Sequence, residues 1–454
     1  MLEEPIISVG IMDRKSEVEG RMRGDFSIHG SPGHSDDSAG FSGAMTGRFR
    51  ARPGGGVVEL TNETGRVLAR SATIRLQASP GAVFELFGVQ IGKQFHWERP
   101  EDQAFRGNLV LKTRQGNTIV VINEIPLEGY LESVVSSEMS ASAPVEFLKA
   151  HAILSRSWLL SALERKVGLE AVSAPPLILS GAEGEIVRWY EREDHDMFDV
   201  CADDHCQRYQ GITKIFSAGP EQAVKKTRGI AVTYEGSVCD ARYAKACGGL
   251  TEEFRTAWDD RTVPYLKSIS DGPEAYRPIA DEASAAEWIL SSPRAYCGTT
   301  DSDLLRTVLP DFDQETKSFF RWTVEYTNGE LCEILREKSG IDFGEVSAIE
   351  PVLRGPSARI MRLRITGSKR SIVVGKELEI RRWLSKNHLY SSAFLVEKQA
   401  DEKGGAPGFR FRGAGWGHGV GLCQIGAAVM ASRGFSAEEI LKHYFVGADI
   451  REVY

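Results

Sequence analysis

The stretch Leu127-Glu128-Gly129-Tyr130-Leu131-Glu132-Ser133-Val134-Val135-Ser136-Ser137-Glu138-Met139 decides how the chain is read. At about 100° per residue a helix puts Leu131, Val134, Val135 and Glu138 on one face, with Glu128 and Glu132 turned further from it. Glu138 stands where a hydrophobe is expected. A carboxyl group held against apolar neighbours loses hydration in its charged form and keeps a proton more readily, which is what a general acid needs. The same spacing admits a plainer arrangement, a carboxylate at the frayed helix end, turned to solvent or paired with Lys149 or Arg156 on the next helix.

Working outward, helical spacing resumes after the break Ser140 to Ala143 and runs from Pro144, suited to a first helical turn, to about Lys166. On the N-terminal side, from Ile6 to about Thr118, short β-branched or alternating runs such as Val57 to Leu60, Ala72 to Leu76 and Leu109 to Leu111 predict strands. Gly30 to Gly43 reads as an exposed loop and Pro53-Gly54-Gly55-Gly56 as a second breaker. Residues from about Ala171 to Gly236 read as mixed and loop-rich. Strands return over Lys317 to Gly375 around a helical stretch, Leu331 to Lys338. Gly404 to Gly421 is glycine-rich, and two helices close the chain, over Gln424 to Gly434 and Ser436 to Tyr444. Ser436, three residues before Glu439, suggests a capping box. The expectation is an α+β protein: a strand-rich frame, two central helices forming a cleft, and an inserted α/β lobe. Its divisions fall at 1–120 (strand-rich part), 121–270 (core with the glutamate helix and a Cys/His cluster), 271–403 (lobe) and 404–454 (glycine-rich return to the core).

Length and composition fit this. The 454 residues, 42% hydrophobic and 26% charged, are enough for two or three cores. No apolar run is long enough to span a bilayer. The net charge of −8 offers no basic field for phosphates, so nucleic acid is not an expected partner. Met1 to Gly10 carries Glu3 and Glu4 where a signal peptide has positive charge, so either the chain is cytosolic or a leader has been removed. Seven cysteines are too few for a disulfide scaffold and leave the redox compartment open.

Four ligand-type side chains crowd one short stretch: His195, Cys201, His205 and Cys206. Together they could close a tetrahedral zinc site of Cys₂His₂ type. A disulfide between Cys201 and Cys206, or plain surface histidines, fits the same residues. The glycines of Gly248-Gly249 and Gly415-Trp416-Gly417-His418-Gly419 allow close backbone approach to a ligand, with Trp416 a possible sugar platform, or simply tight turns with Trp416 in the core and His418 hydrogen-bonded. No Gly-Lys-Ser/Thr follows them, so they are not a phosphate loop.

Several motifs in one order then point to a family. Asn123 to Leu131, Val134 to Met139, Leu148 to Ala152, Ser155 to Trp158, Thr227 to Ile230, Gly248 to Glu252, Pro264 to Leu266 and Gly415 to Gly421 resemble the stage II sporulation protein D family, whose relatives include amidase enhancers. The resemblance covers most of the chain. It implies a peptidoglycan lytic transglycosylase that cleaves the MurNAc-GlcNAc bond of glycan strands stripped of stem peptides. The family's catalytic glutamate falls on Glu138, acting first as acid and then as base to leave 1,6-anhydro-MurNAc ends. It further implies cleft roles for Lys149 and Arg156, glycan contacts around Gly248, Gly249, Thr251, Trp416, His418 and Gln424, and a structural zinc in the His195 cluster. It also implies an exported protein of the cell envelope or periplasm, with a cell-wall amidase as a further partner. The pattern is not fully kept: Ser157-Trp158 replaces Thr-Tyr, His151 replaces Gln, Ala246-Cys247 stands where small hydroxyl residues are common, and Cys423 where Ser is frequent. A non-catalytic glycan-binding or amidase-enhancing module, and a zinc-dependent hydrolase, are the competing expectations.

Overall fold

The computed structural model describes residues 3–31, 42–93, 98–168, 183–190, 195–279, 281–314, 318–399 and 407–454. Among these, 38% of the chain lies in strands and 25% in helices, a mixed α+β architecture on a strand-rich frame. Most of the loop expected between Gly30 and Gly43 lies outside the described residues. Its flanks are strands, Val18–Ser31 and Ser42–Gly54, paired antiparallel with Ile28 opposite Gly43.

The frame is an eleven-stranded sheet. Alternation of apolar residues drives it: in Thr73–Ala78, Ile74 and Leu76 face the core while Arg75 and Gln77 face out. At the end that matters for function, Ile6–Lys15 lies between Thr118–Pro126, antiparallel, and Val200–Cys201, parallel. Thr118–Pro126 runs straight into helix α1, Leu127–Glu138, and after a short break comes α2, Val145–Gly168. Pro144 precedes α2 rather than opening it, its carbonyl accepting the Leu148 N–H at 3.0 Å.

Leu131, Val134 and Val135 are completely buried, as the helical spacing requires, and they join one core with Phe147, Leu148 and Leu154 of α2. The wheel misplaces Glu128, however. It is 7% exposed, not turned outward, because α2 supplies a partner on that side: Arg156, itself fully buried, grips it bidentately at 2.9 and 2.6 Å.

A second apolar core is built by Leu331, Leu335, Ile360, Leu363, Trp383 and Phe411 with their neighbours. Around it stand the four-stranded sheet Glu183–Val187, Ser371–Gly375, Ile360–Gly367 and Val346–Arg354, and the three-stranded sheet Arg321–Thr327, Gly408–Ala414 and Phe394–Gln399. This lobe therefore draws strands from before residue 271 and after residue 403. The returning segment leaves it at Gly415, and Ala246 pairs with Trp416 across a single bridge. The helices Gln424–Ser432 and Ala437–Tyr444 follow, the latter with the capping box of Ser436 and Glu439. The C-terminal strand Asp449–Glu452 closes on Ile230–Tyr234, in the region read as loop-rich.

Candidate active site

Glu138 is the last residue of α1 and is 8% exposed. Its Oε1 accepts two hydrogen bonds, from the Tyr243 hydroxyl at 2.9 Å and from the backbone N–H of Arg208 at 3.0 Å. Among the described residues no donor engages Oε2. The C-terminal carbonyl of the helix at Glu138 accepts from Lys245 Nζ at 3.1 Å, a cation where the helix dipole favours one. Neither Lys149 nor Arg156 is paired with Glu138. Lys149 pairs with Glu146 at 2.6 Å, whose other oxygen takes the Ala437 N–H at 2.9 Å, so this pair sits where α2 meets the helix Ala437–Tyr444.

The cations beside Glu138 have acidic partners. Lys245 reaches Asp313 at 2.7 Å; Arg208 reaches Asp204 at 2.5 Å and Asp313 at 3.5 Å. The two carboxyl groups respond differently. Burial pushes Asp204 up to about 7 despite Arg208, whereas at Asp313 burial is outweighed by Lys245 and Arg208 and the group is held below its usual range. Tyr243 is pushed well above the ordinary phenol, by burial first and then by Glu138, so it stays a neutral donor.

Behind Tyr243 lies His151, ring to ring at 5.0 Å. It is fully buried, bonded to Ser155 Oγ at 3.2 Å and to Gln424 Nε2 at 3.0 Å. Burial lowers it to about 4, against the pull of Glu138, so it is neutral at pH 7. Gln424 thus backs the imidazole that packs against Tyr243.

The Cys/His stretch reaches the site through its continuation. Val200–Cys201 is pinned to the first strand, and Asp199 Oδ2 accepts from Ser8 N–H at 3.0 Å and Ser8 Oγ at 2.6 Å. Gly10 leaves room for Phe198, since a Cβ there would lie 2.5 Å from its ring, and Phe198 packs on His195 at 4.5 Å. Residues 207–210 then lie along α1: the Tyr130 hydroxyl donates to Gln207 at 3.1 Å, Arg208 N–H to Glu138, and Gln210 N–H to Ser133 and Ser137 at 3.2 and 3.3 Å.

The ligand atoms of His195, Cys201, His205 and Cys206 lie within 4.8 Å of one another. A tetrahedral zinc with bonds of about 2.3 Å to sulfur and about 2.1 Å to nitrogen sets sulfur and nitrogen about 3.6 Å apart. The separations are 3.4 Å for His195 Nε2 and Cys206, 3.4 Å for His205 Nδ1 and Cys206, and 3.9 Å for His205 Nδ1 and Cys201. The donor set fits zinc and would fill all four positions, leaving none for a reactive water.

The glycine-rich segments meet at the junction of core and lobe. Gly248 and Gly249 have φ of +84° and +105°, and side chains there would strike the Gly415 backbone and the Trp288 ring, both at 2.8 Å. Trp416 is half-buried, stacked on Tyr390 at 4.3 Å. His418 accepts the Val420 N–H at 3.0 Å and packs on Trp258 at 4.9 Å; burial, then Arg242 and Arg359, hold it well below its usual range. Thr251 is fully buried, bonding Lys267 O at 2.9 Å. Arg359, which the sequence did not mark, reaches from the lobe to Gly417 O and Cys247 O, both at 3.1 Å.

Residues 115–234, from the strand before α1 through the Cys/His stretch to Ile230–Tyr234, match the family model described as Stage II sporulation protein, so the chain carries a domain of that family. Residues 252–421, most of the lobe and the glycine-rich return, match a Domain of unknown function (DUF8618). Among relatives, the chain is similar to stage II sporulation protein D of Bacillus amyloliquefaciens, 26% identical over 73% of this chain and 76% of that one. It is similar to stage II sporulation protein D of Bacillus subtilis (strain 168), 25% identical over 73% and 76%. It is also similar to the amidase enhancer of the latter organism, 24% identical over 70% of this chain and 40% of that protein.

Proposed function

We propose that the chain is a lytic transglycosylase acting on peptidoglycan strands from which stem peptides have been removed. The observation that carries this reading is the setting of Glu138: at a helix end, 8% exposed, with both described donors on Oε1. That leaves Oε2 for the sugar. A protonated Glu138 gives its proton to the glycosidic oxygen of a MurNAc-GlcNAc bond as the C1–O bond breaks. The resulting carboxylate then takes the proton of the MurNAc C6 hydroxyl as that oxygen bonds to C1 and closes the 1,6-anhydro ring. Because the attacking oxygen belongs to the sugar, no second carboxylate is needed to activate water or to act as nucleophile.

In this reading Tyr243 and the Arg208 N–H fix the carboxyl group, and Lys245 and Asp313 fix the helix end. Trp416, half-buried on the same segment pairing as Lys245 and packed on Tyr390 and Phe319, contacts a sugar with the part of its ring left exposed. Arg156, Thr251 and Gln424 support the site from inside rather than touching glycan. A zinc held by His195, Cys201, His205 and Cys206 is structural: it fixes the run 207–210 that donates to Glu138. The polymer lies outside the cytoplasm, so the chain works there; among the described residues no helix is long and apolar enough to cross a membrane.

The similarity to an amidase enhancer supports a second reading, in which the same surface holds glycan for a partner amidase. Incubating the purified chain with stem-peptide-free glycan and analysing the products by mass spectrometry separates the two. New 1,6-anhydro ends are expected; a silent chain that nevertheless accelerates a cell-wall amidase establishes the second reading.

A further inference from the structure

Beneath the Gly248-Gly249 turn, four side chains from four separate segments converge. Cys247 follows the strand Tyr243–Ala244, Asp271 follows the Leu250 to Ser270 bridge, Cys297 sits in the short helical turn Tyr296–Gly298, and Cys423 caps the helix Gln424–Ser432. None is more than 2% exposed. One ligand atom from each lies within 4.8 Å of all the others.

Their geometry suits a metal better than a sulfur bridge. Cys247 Sγ and Cys297 Sγ are 3.8 Å apart. Two thiolates on a tetrahedral zinc, with bonds of about 2.3 Å, are about 3.8 Å apart, while a disulfide needs about 2.05 Å. Backbone N–H groups are aimed at the sulfurs, from Cys247 to Cys423 Sγ at 3.2 Å and from Gly249 to Cys247 Sγ at 3.4 Å. A metal-bound thiolate accepts such outer donors. The Asp271 carboxylate is oriented by the Cys297 N–H at 2.8 Å and the Tyr444 hydroxyl at 2.5 Å, the outer bonds that a ligating carboxylate normally has. Gly426 makes room for it: a Cβ there would lie 2.2 Å from Asp271 Oδ1.

We infer that Cys247, Asp271, Cys297 and Cys423 form a second metal site, structural and selective for a thiophilic divalent ion such as zinc. Three soft sulfurs disfavour magnesium or calcium, and four protein donors leave no open position. With all four ligands ionised the occupied site carries two net negative charges, which the Arg321 guanidinium, 3.0 Å from Gly248 O, partly offsets. The metal would tie the glycine turn and the start of the lobe to the helix that carries Gln424.

The test is metal content of the full chain, purified under reducing conditions, by inductively coupled plasma mass spectrometry. Cys247→Ser/Cys423→Ser is expected to lower zinc by one per chain relative to the unsubstituted protein, and His195→Ala/Cys206→Ala by one more. After exchange into cobalt(II), the thiolate charge-transfer absorption should fall by roughly three fifths in the first variant, which empties a site holding three of the five ligating sulfurs. If the double variant does not fold, Cys297→Ser serves instead, with zinc bound at least about tenfold more weakly in competition with a chelator. Zinc content unchanged by Cys247→Ser/Cys423→Ser, zinc affinity unchanged in Cys297→Ser, or peptide mapping that finds Cys247 and Cys297 joined as a disulfide, overturns the inference.

Discussion

Two side chains behind Glu138 give the sharpest residue-scale expectations. Tyr243→Phe removes one neutral donor from Oε1, a bond worth about 0.5–1.5 kcal/mol. We expect kcat to fall by roughly 3- to 10-fold with KM unchanged, since a positioning group acts on the reacting carboxyl and not on glycan binding; steady-state kinetics on stem-peptide-free glycan checks it. His151 titrates near 4 in the fold against 6.5 when unfolded. The folded chain therefore binds fewer protons between these values, and the stability from burying a neutral imidazole, complete above pH 6.5, is lost as pH falls toward 4. His151→Gln should flatten that acid limb by about 3 kcal/mol, read from urea unfolding at pH 7 and pH 4. Glu138 itself was legible in the sequence as a carboxylate in an apolar register. Tyr243 and Lys245, two apart at the short strand Tyr243–Ala244 and both reaching Glu138, carried a signal that a search for helical misfits does not see. Arg208 contributes a backbone N–H, which has no side-chain signature at all.

At the scale of elements, the wheel of α1 failed at Glu128 because a wheel describes one helix, and the burial of that face is decided by α2 and the C-terminus. Arg156 ties these together, donating to Glu128 and, at 2.8 Å, to Ile230 O, while the Tyr454 hydroxyl also donates to Glu128. Arg156→Ala leaves Glu128 buried without its cation, and should cost about 3–5 kcal/mol in urea denaturation. Replacing both partners, Glu128→Gln with Arg156→Met, should cost clearly less. In the proposed reading the Cys/His cluster acts through its neighbouring run. If the cluster holds zinc as proposed, stripping it with a chelator should open 195–210 to proteolysis, which zinc should reverse, and His195→Ala/Cys206→Ala, which spares the Cys247 site, should slow glycan cleavage. Resistance of that run to protease with and without metal would contradict the structural role.

Across the whole molecule, the strand-rich frame, the two central helices and the C-terminal pair were readable because each is a local pattern: alternation, 3.6-residue spacing, or a cap such as Ser436 with Glu439. The lobe was readable as strands around one helix, observed at Asn328–Ser339, but its outline was not. Glu183–Val187 and Gly408–Ala414 join its sheets from outside the stretch 271–403, and long-range pairing leaves no trace in spacing. The junction of core and lobe is likewise invisible from local pattern. Gly419 reads as room for a ligand or as part of a tight turn, yet a Cβ there would lie 2.4 Å from Arg359 Cζ, so its lack of a side chain seats an arginine from the lobe. The function proposed for this assembly depends on one proton moving between Glu138 and a sugar oxygen. The most direct measurement is the rate at which 1,6-anhydro ends appear with Glu138→Gln beside the unsubstituted chain, the two matched for thermal unfolding. A loss of at least about 100-fold is predicted, the scale of a missing general acid and base; a rate within about twofold, in a variant equally well folded, would contradict the account.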